Sequence, residues 1–489
     1  MPLFTPARRW QLPYLPFKRD SFCQRLLVAV ERAVKGPLFG CRMCGNCMLQ
    51  ETAFICSMEC PKGIRNGPCG GSTPARCYVD ETRPCIWYKI YERAFNMGRE
   101  EKLLEVLPPL DWGKVGGETW GDVLHQIRRV GPGRFVSGLL SRDPVQRTQV
   151  WDSVFKTVRQ PDWWEGDAEY HPPAYSEPIS ELERRLRAGE FVVTGEVAPP
   201  LTTSTKKLVS NIELVKPYLT AINFTDCPAA TPRMSSLACS AIAVQNGAEA
   251  VMQIAARDRT RVGLQAEVIG ASALGIRNVL CLSGDSMRMA PDPCGRMDVV
   301  DIDSIQMLWI LRRMRDDGKY LDGRSIKFPP NIFIGAAASP FASQPRYQAI
   351  REQKKVNAGA QFFQTNLVFD PQGLENWLNE LEKRNILGKV YILVGITPLK
   401  SWKVAQYMHH EVPGVFIPEK IMKRMENAGD GAAEEGVTIS LELIESIRKL
   451  QGVQGIHLMA VGWEEIVPRI VTEAGLLPED FVAPEMISP

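Results

Sequence analysis

The chain has 489 residues, 45% of them hydrophobic, and its 58 Lys and Arg against 56 Asp and Glu leave a formal charge of +2. That length has room for two or three domains, and the lack of a basic block argues against nucleic acid as a partner. No apolar run reaches the length of a membrane span and the first ten residues hold no apolar signal core, so a reduced, cytoplasmic protein is expected.

Eight of the 13 cysteines, Cys41, Cys44, Cys47, Cys56, Cys60, Cys69, Cys77 and Cys85, are crowded among glycine, proline and arginine. The other five, Cys23, Cys227, Cys239, Cys281 and Cys294, are scattered as packing thiols are. Crowding of this kind points to a metal or cluster site, and since no histidine lies near, its ligands would all be sulfur. Cys41-x2-Cys44-x2-Cys47 with a distant Cys60-Pro61 matches [4Fe-4S] ligation more closely than paired zinc knuckles; structural zinc is the alternative. Eight thiols also suffice for two sites.

Residues 86–160 read as amphipathic helices, with Trp87, Tyr88, Tyr91 and Phe95 at helical spacing and Leu103, Leu104 and Leu107 continuing the pattern. Trp112, Trp120, Trp151, Trp163 and Trp164 are read as core or interface residues with no chemistry. Prolines and weak periodicity near 160–178 mark a boundary. The expected organisation is a Cys-rich domain with a helical segment over 1–160, a linker over 161–178 and a second domain over 179–489.

Ser180 followed by Glu183 is a capping-box signature for a helix that Gly189 can end. Eight short β-rich runs follow, beginning near Phe191, Leu219, Ala250, Asn278, Asn331, Gln361, Val390 and Gly455, most of them about thirty residues apart. Amphipathic stretches over 206–215, 264–275, 303–315, 346–359 and 441–451 fill the gaps, and two longer gaps would hold loop insertions. This is the pattern of an α/β fold, a (β/α)8 TIM barrel. A barrel places its chemistry where strands end, and the runs end in Glu196, Asn223 to Asp226, Gln253, Ser283-Gly284-Asp285 and Gln364 to Asn366. Two carboxylates, Glu196 and Asp285, are candidates to share one pocket.

Several of these segments together resemble the methylenetetrahydrofolate reductase family, flavin-dependent barrel enzymes, across 180–475. Thr194-Gly-Glu-Val-Ala-Pro-Pro200 is similar to its first strand, Gly275-Ile-Arg-Asn-Val-Leu-Cys-Leu-Ser-Gly-Asp285 to its fourth, and Lys355 to Asp370 to its sixth. Gly395-Ile-Thr-Pro and Gly455-Ile-His-Leu-Met complete the series. Arg257-Asp-Arg-Thr-Arg-Val-Gly resembles the acetogen-type branch, whose reductase works with a small Cys-rich subunit. Cys44-Gly-Asn-Cys47, Cys60-Pro-Lys-Gly, Arg65-Asn-Gly-Pro-Cys-Gly-Gly71 and Cys85-Ile-Trp87 resemble that subunit, so the chain looks like both fused, small one first.

The resemblance implies reduction of 5,10-methylenetetrahydrofolate to 5-methyltetrahydrofolate. Electrons would enter through an iron-sulfur cluster from a donor such as ferredoxin or a partner oxidoreductase subunit. The alternative is a zinc lobe that docks partners, with electrons from NAD(P)H or a partner flavin. Ring opening of the folate needs an acid, for which Glu196 is the candidate, and Asp285 would tune or orient flavin and folate. By the same resemblance Asn223, Gln253, Ser283, Gly284, Asp285 and Lys355 would bind flavin, with Lys355 near its phosphate, while Asn366 and Trp402 would bind the folate. Gly335 and Ser339 stand where FAD-binding relatives carry tyrosine and histidine, so FMN is the alternative to FAD. No dinucleotide fingerprint is present. A homo-oligomer is compatible with all of this.

Overall fold

The computed structural model describes residues 22–159, 164, 166, 168–292, 299–412, 414–478 and 481. The first ten residues, Trp163, Cys294, the linker positions 160–163 and the side chain of Cys23 lie outside the described residues.

Eight strands, β1 (Val192–Glu196), β2 (Ala221–Phe224), β3 (Ala250–Ala255), β4 (Asn278–Leu282), β5 (Phe333–Ala338), β6 (Phe362–Leu367), β7 (Tyr391–Ile396) and β8 (Gly455–Leu458), form a closed barrel. Each runs parallel to the next, and β8 pairs with β1. Their starts lie within two residues of the expected ones, because strands of a closed parallel barrel are covered on both faces and read as short continuous apolar runs. All six residues of β3 are buried.

Val192, Ala221, Val251, Leu280, Phe333, Phe362 and Leu393 fill the lower barrel interior, and Leu182 and Leu186 of the helix Glu181–Arg187 close it. Ser180 caps that helix by accepting from Glu183 N at 3.1 Å, and Gly189, at φ 79°, ends it. Gly335 has a packing reason. A Cβ there would come within 2.3 Å of the Phe362 ring, which stacks on Phe333 at 4.9 Å. The gap between β7 and β8 holds three helices, Trp402–Glu411, Glu419–Asn427 and Ala432–Ile447, instead of the loop insertion expected.

The N-terminal lobe consists of helices Phe22–Phe39, Ile86–Asn96, Trp120–Val130, Pro132–Leu139 and Pro144–Arg159 around the irregular Cys-rich segment. The helix expected through Leu107 is only a 3-10 turn, Glu100–Leu104, because Pro108 and Pro109 bar its continuation.

The lobe packs on the barrel helices Ser304–Arg312 and Pro345–Ala358. Arg65 N and Asn66 Nδ2 each donate to Asp303 Oδ2 at 3.0 Å, and Gln306 Nε2 donates to Leu107 O at 3.0 Å. Trp164 stacks on Trp309 at 3.8 Å, Phe95 packs on Tyr347 at 5.1 Å, and Gln348 Nε2 donates to Tyr88 at 2.8 Å. Both barrel helices are therefore buried on two sides and are not the amphipathic surface helices expected. Arg261 donates to Leu110 O at 2.8 Å and pairs with Asp301 at 2.6 Å, while Trp112 Nε1 donates to Asp301 at 2.8 Å. No helix among the described residues is long and apolar enough to cross a membrane.

Candidate active site and cysteine tetrads

A cavity of about 370 Å³ opens at the C-terminal ends of the strands. Glu196, Gln253, Ser283, Gly284, Asp285, Lys355 and Asn366 all line it. Two of the residues assigned from sequence do not. Asn223 sits one layer deeper, fully buried, with its amide consumed by a reciprocal pair with Gln364: its Nδ2 donates to Oε1 at 2.6 Å and its Oδ1 accepts from Nε2 at 3.0 Å. Trp402 begins a helix six residues past the end of β7, where Ser401 caps the helix and the indole packs against the main core.

Glu196 ends β1, with Gln253 Nε2 at 3.5 Å and His457 Nε2 at 3.7 Å from its Oε2. His457 Nδ1 lies 3.0 Å from Thr194 Oγ1, which itself accepts from Gln364 Nε2 at 3.1 Å. Thr194 accepts from the amide, and its one proton has two acceptors within reach, His457 Nδ1 and the Ile456 carbonyl at 3.4 Å. Polar groups at this depth must be paired, and here the pairing places the imidazole beside the carboxylate.

Asp285 accepts from Ala229 N at 2.7 Å through Oδ2 and from the Tyr78 hydroxyl at 3.3 Å through Oδ1. Cys227, Ala229 and Ala230 all have positive φ, so the loop after β2 is held in the sparsely populated left-handed region while it points that amide at Asp285. Gly284, at φ 75°, is needed for a second reason: a Cβ would meet Arg257 Cβ at 3.0 Å and Ala255 Cβ at 3.1 Å. Its carbonyl accepts from Lys62 of the lobe at 3.2 Å.

Arg351 and Lys355, both buried, make one wall cationic. Lys355 Nζ donates to Ala337 O and pairs with Glu352, each at 2.6 Å; burial first, and the neighbouring Arg351 second, push its amine down to about 8. It is not the solvated helix lysine that its position suggests. Gly70 and Gly71 of the lobe line the same cavity, and a Cβ on Gly70 would lie 3.2 Å from Ser339 Oγ. Buried cations for a phosphate, glycines that admit a flat ring and two carboxylates fit a flavin.

The eight crowded cysteines divide into two groups of four. Cys41, Cys44, Cys47 and Cys56 line one cavity of the lobe, and Cys60, Cys69, Cys77 and Cys85 line another. Cys60 lines the second cavity and not the first, where its spacing suggested a place. The turn Ser57–Glu59 puts Cys56 and Cys60 at its opposite ends, one in each group. Burial, reinforced by neighbouring cysteines, raises the Cys41 thiol to about 11 and Cys85 to about 12, so four thiolates coexist in such a space only around compensating positive charge. Among the described residues no group of three or more His, Cys, Asp or Glu converges closely enough to hold a single metal ion. Lys35 Nζ stands 3.8 Å from Cys47, and Ser72 Oγ stands 3.2 Å from Cys69. Cys69 lines both the second cysteine cavity and the barrel cavity.

Sequence reasoning missed Tyr78, Arg351 and His457 as residues of this cavity and gave Gln364 no role beyond its place at a strand end. Gln364 and His457 stand inside motifs already singled out, but their direction depends on strand register. Tyr78 and Arg351 carry no signal without the lobe in place.

No curated protein matches the chain. Among solved structures, an uncharacterized protein from Clostridium thermocellum that binds two copies of 5-methyl-5,6,7,8-tetrahydrofolic acid is 15% identical, with TM-score 0.42 over 60% of this chain and 97% of that one. An F420-dependent secondary alcohol dehydrogenase in complex with an F420-acetone adduct is 12% identical, with TM-score 0.40 over 59% of this chain and 100% of that one. The family described as methylene-tetrahydrofolate reductase C terminal matches residues 22–113. The family described as methylenetetrahydrofolate reductase matches residues 181–475, more than half of the chain, and to this family the chain belongs.

Proposed function

We propose that this reductase converts 5,10-methylenetetrahydrofolate to 5-methyltetrahydrofolate in the cytoplasm, with a flavin in the barrel mouth and electrons entering through iron-sulfur clusters in the lobe. The donor would be a protein such as ferredoxin. The observation that carries the electron route is Cys69, which belongs to the second tetrad and to the wall of the barrel cavity. The first tetrad is joined to the second through Cys56 and Cys60, four residues apart across one turn. On this reading residues 1–160 and 179–489 are one functional unit, the lobe roofing the barrel.

Flavin, when bound, supplies the hydride. Glu196 holds the proton that opens the folate ring at its bridging nitrogen, and Gln253 and His457 keep that carboxyl oriented. Asp285, held from two sides, fixes the charge at the ring face, Arg351 and Lys355 take the phosphate, and Asn366 offers its amide to the pterin. FMN is favoured over FAD because Gly70 covers Ser339, the position at the end of β5 where FAD-binding relatives carry a histidine.

The test is an assay of iron, sulfide, zinc and flavin on anaerobically purified protein, together with methylenetetrahydrofolate reduction by reduced ferredoxin. About eight irons and sulfides per chain with one flavin are expected. Zinc without iron would move electron entry to the flavin face and make the lobe a docking module.

A further inference from the structure

The lobe reaches into the barrel through Tyr78, a residue between Cys77 and the barrel's Ser-Gly-Asp turn. Its ring packs flat on Gly71, where a Cβ would come within 2.7 Å of it, and Lys62 Nζ stands 5.4 Å from the ring centroid on the way to the Gly284 carbonyl. Its hydroxyl reaches Asp285 Oδ1 at 3.3 Å and Met289 Sδ at 3.1 Å. Its backbone amide donates to Ser72 Oγ at 3.1 Å, and that hydroxyl lies 3.2 Å from Cys69 Sγ. Two residues, Ser72 and Tyr78, thus connect a thiol of the second tetrad to the carboxylate beside the proposed flavin site.

We infer that Tyr78 is a positioning residue of the reductase site: it holds Asp285 against the flavin and makes the Cys-rich lobe part of the catalytic centre. The inference rests on the flavin reading above. With Oδ2 fixed by Ala229 N, the tyrosine is the second point that stops the carboxylate from rotating about its terminal bond. It also withdraws charge from the oxygen it touches. Without that bond Asp285 presents a less compensated negative charge to the ring, which disfavours the added electrons of the reduced state.

The test uses the full-length, flavin- and metal-loaded protein and the variants Tyr78→Phe, Asp285→Asn and both together. Tyr78→Phe keeps the ring and removes only the hydroxyl. The expected result is unchanged flavin and metal content, a fall in kcat of about ten-fold with KM for the folate within about two-fold, and a lower flavin midpoint potential. In the double variant the Tyr78→Phe effect should vanish, since it acts through Asp285. A wild-type potential and kcat in Tyr78→Phe, loss of flavin or metal from it, or effects that simply add to those of Asp285→Asn would overturn the assignment. If the wild type carries flavin but does not reduce methylenetetrahydrofolate, the reductase reading fails while the potential shift still decides the role of Tyr78. A wild type that binds no flavin overturns both.

Discussion

His457 and Glu196 face one another at 3.7 Å across the floor of the barrel mouth, and the imidazole is oriented from behind by Thr194. A carboxyl group that gives its proton to the folate must recover it, and an imidazole 3.7 Å away is a side chain able to return one. Glu196→Gln is expected to leave flavin bound and lower turnover by about 10² to 10⁴, the usual range for a general acid. His457→Asn shortens the reach and should lower turnover by about ten-fold. Stopped-flow reoxidation of reduced flavin by methylenetetrahydrofolate reads both. Full activity in Glu196→Gln would remove it from the mechanism.

The division of the cysteines makes a separate prediction. If the tetrads are independent, Cys44→Ser and Cys69→Ser each remove about four irons and leave about four. Only Cys69→Ser should also disturb the flavin absorbance, because only Cys69 borders the barrel cavity. Loss of all iron from either variant would mean a single shared site.

The barrel was legible because eight buried parallel strands each leave a short apolar run, and (β/α) units repeat at a nearly fixed length. That Glu196, Gln253, Ser283, Gly284, Asp285, Lys355 and Asn366 line one cavity was legible because most of them stand at strand ends, which a barrel gathers at one face. Asn223 does not line the cavity, and residue type could not tell whether an amide at a strand end faces the cavity or a partner below it. The tetrads were hidden for a similar reason: spacing places Cys60 downstream of Cys56 but cannot say that a turn sends them to different groups. Nor could helical periodicity reveal that the lobe covers the helices Ser304–Arg312 and Pro345–Ala358, whose second buried face exists only in the assembled fold.

Asp301 links the two halves by accepting from Arg261 and Trp112. Burial by itself would raise this carboxyl, but the bonds from Arg261 and Trp112 outweigh it and hold it below its ordinary value. Its stabilising contribution is therefore complete above the ordinary carboxylate range, about pH 4, and is lost as pH falls through the depressed folded value. Asp301→Asn should cost about 1.5–3 kcal/mol in denaturant unfolding at neutral pH, and the wild type should approach the variant in acid. Equal stability at neutral pH would mean that the contact does not hold the lobe.

Lys354 gives the opposite pH signature. It is buried on the helix Pro345–Ala358, and burial, only partly opposed by Asp303 and Glu105, pushes its amine from 10.5 down to about 7. Between those two values the unfolded chain binds a proton that the folded chain does not. Stability therefore rises with pH across that window, by up to about 1.4 kcal/mol per pH unit from this group. Lys354→Met keeps an unbranched side chain of similar length and removes the charge that burial penalises. The variant should be the more stable protein at pH 7.5, and its advantage should shrink steadily toward pH 9.5 as the wild-type amine loses its cost. Denaturant unfolding of both proteins at several pH values measures the difference directly, and other titrating groups cancel in the comparison. A pH-independent difference would place a charged, solvated lysine at this position and remove the buried amine from the lobe–barrel contact.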